Sequence, residues 1–327
     1  MSTYLNVPEP LELFAKQTST DFYVDKTLMI SDLMFHVSNF NYDSLCLTRP
    51  NGFGKSMMAQ TVAAFFTKGQ DSSAVFSKLN ISKTKIFDYI NSKNVFFIDM
   101  SHAVADALTC DDFLVNLCSA MLDDLHNAFP STRNDFAGRY SNSPETGDRP
   151  HMSPQAALLM HKLVDALKAS SEKFIFIVDE WDAPFGRPFM SEGYKLVYLH
   201  FLNHLFKEQR YIYFTYFTGM QPIPKTESSL LNNFEEFVLW KNAPFCTFFG
   251  FTESEVSDLH KRYKKLLESS GKFLKVSLLD LKRWYGGYKT PLGVSMYNPM
   301  SVMSALSNNS TSDFSALPGK TSQVLRI

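Results

Sequence analysis

Cysteine is scarce in this chain: Cys46, Cys110, Cys118 and Cys246 are its four, with no CxxC pair among 327 residues. Such spacing excludes a zinc ribbon or a disulfide-stapled scaffold, and the four read as reduced thiols of an intracellular protein. An excess of one charge is equally lacking. Lys plus Arg total 32 against 33 Asp plus Glu, so nucleic acid as a partner is unsupported by charge. Long apolar runs are missing too. The longest strongly apolar stretch, residues 174–178, is far too short to span a bilayer. The opening MSTYLNVPEP has neither the basic nor the apolar region of a secretory signal. The expectation is a cytoplasmic protein with no membrane contact. No GxSxG elbow supports Ser-His-Asp catalysis, and no NKxD-type segment supports guanine recognition, which leaves adenine as the default base.

What is present is a large apolar complement, 45% of residues with 30 Phe and 14 Tyr, enough for a bulky core. Short β-rich runs alternate with helical stripes, a pattern that predicts an α/β fold around a mostly parallel sheet. Strands are expected at 44–48, 95–100, 174–178, 211–218 and 245–249. Several are apolar without alternation, as strands covered on both faces are. Helical stripes follow at Met58/Val62/Phe65/Phe66, Phe113/Leu117/Met121, Leu159/Leu163/Leu167 and Tyr194/Val197/Phe201/Leu205. Ser153-Pro154, the Thr252/Glu255 capping box and Asn298-Pro299 mark helix starts. The division that follows is a domain over 1–249, with a lead-in to 42 and an exposed loop over 127–152. A smaller helical domain over 250–306 and a poorly ordered tail over 307–327 complete it.

The strongest chemical signal is TRPNGFGKS, residues 48–56, between a strand and a helix. A triphosphate needs converging backbone N–H groups, a Lys for its outer phosphates and a hydroxyl for magnesium. Gly52 and Gly54 permit close backbone approach, Lys55 meets the phosphates, and Ser56 ligates Mg²⁺. The cofactor-binding stretch comprises Arg49, Asn51, Gly52, Phe53, Gly54, Lys55, Ser56 and Met57. Arg49 stands where the strict phosphate-loop pattern has its first Gly. A partner acid is expected, and FIFIVDEWD supplies it: a buried strand runs into Asp179, placed to hold the metal, with Glu180 placed to orient or deprotonate water. Thr218, ending the strand at 211–218, is the third catalytic candidate beside Lys55 and Glu180.

The chain resembles the AAA-ATPase-like family through seven segments in order: YVDKT, TRPNGFGKS, VDEWDAP, FTG, FGFTESEV, RWYGGY and YNP. The resemblance covers about residue 12 to residue 306. It implies a P-loop NTPase fold of the additional-strand (ASCE/AAA-like) type, a parallel sheet sandwiched by helices with a smaller C-terminal helical lid, and ATP and Mg²⁺ as ligands. The Arg at 49 is family-like; Asn51-Gly52 in place of Arg-Arg, Trp181 in place of Tyr and Gly286 in place of Asp are departures. Asp182 matches the last acid of the family's DEYD, with capping and loop-holding as its alternatives. Many members of the family carry a C-terminal nuclease-like domain, but no acid-then-ExK spacing follows residue 307, and nuclease activity is not expected.

The function expected is ATP hydrolysis by an ATP·Mg-binding protein. Its rivals are a nucleotide-dependent switch with little hydrolysis and the ATPase part of a DNA-processing system. A homo-oligomer supplying an arginine, from Arg210, Arg262 or Arg283, and a further protein partner complete the expectations. His200 and His204 have metal-compatible i, i+4 spacing but an ordinary helix around them.

Overall fold

A computed structural model describes the chain except for residues 1, 21, 41–42, 134–150, 225–230, 240 and 313–327. The larger parts of the expected 127–152 loop and of the expected tail lie outside the described residues.

Five segments pair in parallel: β1 (Ser44–Thr48), β2 (Asn94–Asp99), β3 (Phe174–Asp179), β4 (Ile212–Gly219) and β5 (Glu235–Val238), in the spatial order β2-β3-β4-β1-β5. Alternate residues of each strand feed opposite faces. Leu45, Leu47, Val95, Phe97, Ile175, Ile177, Phe214 and Tyr216 join one buried cluster. It is closed by α1 (Glu9–Thr18), α2 (Met29–Phe40), α3 (Lys55–Phe66) and the short α4 (Ser73–Phe76). Cys46, Phe96, Ile98, Phe174, Phe176, Val178 and Phe217 face the other way. There the short α5 (Met100–Ala103), α6 (Cys110–Ala128), α7 (Pro154–Ala169) and α8 (Glu192–Phe206) cover them. Two covered faces explain the absence of alternation in these strands. All four cysteines are free and buried.

The edge of β2 is covered by the N-terminal strap: the Asn6 amide donates to Val95 O and the Phe97 amide to Tyr4 O. Asp124, buried on α6, accepts the amides of Thr3, Tyr4 and Leu5 at 2.6–2.9 Å. A strand edge that would otherwise template pairing is thereby occupied.

The fifth strand differs from expectation. Residues 245–249 are turns, and the strand beside β1 is β5, residues 235–238. Phe245 and Phe249 are apolar because they pack into the core, Phe245 with φ +61°. β5 pairs with β1 alone, and an edge strand tolerates the two glutamates that open it.

From residue 251 the chain is not purely helical. β6 (Phe251–Thr252), α9 (Glu253–Ser269), α10 (Leu278–Tyr285), β7 (Tyr288–Lys289), β8 (Ser295–Tyr297) and α11 (Pro299–Asn308) follow. The three short strands form an antiparallel sheet in the order β6-β8-β7. The segment has its own buried cluster around Val256, Leu259, Leu281, Tyr297 and Val302. The sequence signals for its helix starts are present: Thr252 and Glu255 form a reciprocal capping box on α9, and Asn298 Oδ1 accepts the Ser301 amide ahead of α11. α11 runs to Asn308, two residues past the expected end of the smaller domain at 306.

Candidate functional site

Strand register brings the chemistry to one edge. Thr48 lies opposite Gly219, Leu47 opposite Thr218, Val178 opposite Phe217, and Asp99 opposite Asp179. The carboxyl ends of four neighbouring strands therefore meet where open α/β sheets take ligands.

The loop from β1 to α3 turns through Gly52 (φ +77°) and Gly54 (φ +84°), and Gly54 precedes the first helical residue, Lys55. Left-handed backbone at both positions is the glycine requirement that the sequence meets. A Cβ on Gly54 would meet nothing within 4 Å, so the backbone faces open space at the helix N-terminus. Lys55 is only 5% exposed, and its Nζ donates to the carbonyls of Arg49 at 3.1 Å and Pro50 at 3.3 Å. Burial lowers its pKa, an effect opposed by the charges of Asp179, Glu180 and Asp182.

Asp179, 2% exposed, ends β3. Its carboxylate accepts a hydrogen bond from the Thr218 hydroxyl, and the nearby Ser56 hydroxyl also favours its charged form. Burial raises its pKa; the two hydroxyls and Lys55 oppose the shift, and the neighbouring Asp99 adds to it. Glu180 follows in the left-handed region at φ +52°, a costly conformation for a residue with a Cβ. Its pKa is raised by burial first, then by Asp179 and Asp99. Thr218 does not stand free at the edge. Its hydroxyl donates to Asp179 and accepts the Glu180 amide at 3.3 Å, tying the two acids to β4.

Other expected site residues do different work. Arg49 is 1% exposed, and its guanidinium donates to the carbonyls of Thr48, Phe237 and Phe245 while lying 4.6 Å from the centre of the Phe249 ring. This side chain fastens β1 to β5 and to the 245–249 turns. Burial brings its pKa down to about 10, still charged at neutral pH. Phe53 is buried with Leu239 and Met296 and meets Tyr288 edge to face; its ring anchors the loop. Asn51 is exposed and Met57 half-buried. Asp182 accepts the amides of Met220 and Gln221, so it holds the turn leaving β4.

Asp99 went unnoticed in the sequence. It ends β2 beside Asp179, caps α5 through the amides of Ser101 and His102, and pairs with His102 at 2.9 Å. The signal was there: NVFFID is an apolar strand ending in an acid, the same pattern as FIFIVD. Of the paired histidines, His204 meets His161 of α7 ring to ring while His200 is exposed. Among the described residues no group of three or more His, Cys, Asp or Glu could hold a metal ion, and no helix is long and apolar enough to cross a membrane.

A family model described as "Predicted AAA-ATPase" matches residues 12–229, well over half of the chain. The chain belongs to the AAA-ATPase-like family. That stretch contains the phosphate-loop segment, β3 with its acids and all of β4, so the AAA-ATPase-like match covers the residues that converge at the sheet edge. Comparison with curated proteins finds no match. An α/β body with a five-stranded parallel sheet and nucleotide binding are what the family supports.

Proposed function

We propose that this chain is an ATPase of the additional-strand P-loop type that binds ATP with Mg²⁺ and hydrolyses it to ADP and phosphate. The observation that carries the proposal is convergence across an inserted strand. β4 lies between the loop strand β1 and the acid strand β3, yet the Ser56 hydroxyl and the Lys55 ammonium both act on the Asp179 carboxylate and favour its charged form.

The residues fit the ligand. Left-handed glycines and open space at Gly54 suit a cradle for phosphate oxygens at a helix N-terminus. Ser56 and Asp179 would hold the metal, which supplies charge neutralisation on the phosphates when bound. Lys55 would exchange the Arg49 and Pro50 carbonyls, its partners now, for phosphate oxygens. Glu180 would accept a proton from the attacking water, and its raised proton affinity suits a general base. Thr218 positions both acids. The segment from β6 onward is proposed as a lid on the β1–α3 loop. The cytoplasmic setting expected from the sequence belongs to the same proposal.

Replacing Glu180→Gln tests the assignment. Phosphate release should fall by about 100-fold or more while ATP affinity is kept. Unchanged release would remove Glu180 from the chemistry.

A further inference from the structure

The YNP segment far along the chain touches the phosphate loop. Asn298 is 6% exposed, and its Nδ2 donates to the Asn51 carbonyl at 2.9 Å. Its Oδ1 accepts the Ser301 amide at 3.2 Å, capping α11. Next to it the Met300 amide donates to the Gly52 carbonyl at 3.3 Å. A Cβ on Gly52 would sit 2.6 Å from Asn298 Oδ1 and 3.1 Å from Met300 Cβ, so the loop and α11 are in close contact. One residue further, the Gly250 amide donates to the Phe53 carbonyl at 3.2 Å.

Three successive loop carbonyls, at 51, 52 and 53, are thus held by donors from residues 250–300. A loop that offers its N–H groups to a ligand must turn its carbonyls elsewhere, and an unpaired buried carbonyl is costly. We propose that Asn298 is a positioning residue for nucleotide binding: its amide fixes the Asn51 carbonyl outward and so keeps the loop's N–H groups aimed at the phosphates. The same side chain caps α11, so loop geometry and the seating of α11 are coupled. This inference rests on the nucleotide reading given above.

Asn298→Ser and Asn298→Asp separate positioning from folding. Ser and Asp cap helices about as well as Asn, so both variants keep α11, and both lose the donor to Asn51. Hydrogen exchange of the amides in residues 51–54, measured without nucleotide, should be faster in both variants at a nearly unchanged Tm. ATP affinity, read by calorimetry, should weaken by about 3- to 10-fold for Ser, as for one lost hydrogen bond. It should weaken further for Asp, whose carboxylate faces a carbonyl and stands close to the bound polyanion. A purely structural Asn298 would leave the two capped variants equal to the parent in exchange and in affinity, which would overturn the inference. Should the parent itself bind no ATP while both variants still speed exchange at 51–54, the positioning stands and the nucleotide reading fails.

Discussion

Arg49, expected within the cofactor-binding stretch, turns its guanidinium to backbone carbonyls beneath the loop. Its donors go to three carbonyls on separate segments, and a lysine cannot reproduce that planar fork. Arg49→Lys should therefore cost roughly 2–3 kcal/mol of stability, the scale of a charge-assisted hydrogen bond lost from the interior. Chemical denaturation checks it, and a stability equal to the parent with only ATP affinity reduced would return Arg49 to the binding site. The carboxylates carry the opposite burden. Asp179 and Glu180 have raised pKa values in the fold, from ordinary values of 3.8 and 4.5. Between those values and the raised ones the folded state holds more protons than the unfolded one, so stability declines as pH rises through that window. Asp179→Asn removes one share of that decline, so in the nucleotide- and metal-free protein the Tm of the variant should rise relative to the parent as pH increases from about 4 through the raised values. A Tm difference between the two that stays constant across this window would contradict the burial argument for Asp179.

β4 shows how tightly the elements around the site are fitted. A Cβ on Gly219 would lie 2.5 Å from Trp181 Nε1 and 2.8 Å from Asp182 Oδ1, and Trp181 is fully buried. Gly219→Ala should destabilise by about 1–3 kcal/mol through overpacking and disturb the turn that Asp182 holds; a thermal melt matching the parent would show that the indole moves aside freely. β1, β3 and β4 were legible because a strand covered on both faces must be apolar throughout, and TRPNGFGKS because its two glycines satisfy a backbone need stated by the turn itself. β5 was not legible, since an edge strand opening with Glu235 and Glu236 looks like a surface segment. The 245–249 run misled for the reverse reason: Phe245, Phe248 and Phe249 earn their burial by packing, without strand pairing. Asp182 could be narrowed to two parts from its motif, and only coordinates chose the amides of Met220 and Gln221.

At the scale of the molecule, contacts between segments distant in sequence were the hidden part. Lys26 of the lead-in donates to the Thr247 carbonyl and pairs with Glu255 at 2.7 Å, and Phe22 and Val24 pack on the cluster of the last helices. Asn298 reaches Asn51 across the same junction. The segment after residue 250 is therefore joined both to the lead-in and to the loop, and no local periodicity could have announced either contact. The motifs YVDKT, FGFTESEV and YNP, each weak alone, turn out to supply the residues of these junctions. The central claim is that the 52–56 stretch and the carboxylate of Asp179 grip one metal-bridged triphosphate. Calorimetric titration of ATP into the parent and Asp179→Asn, each with and without Mg²⁺, tests it most directly: Mg²⁺ should strengthen ATP binding about 10-fold or more in the parent, as expected for a loop hydroxyl and an acid sharing the metal, and leave the variant nearly unaffected. Equal magnesium dependence in both proteins, or no ATP binding by the parent, would contradict the account.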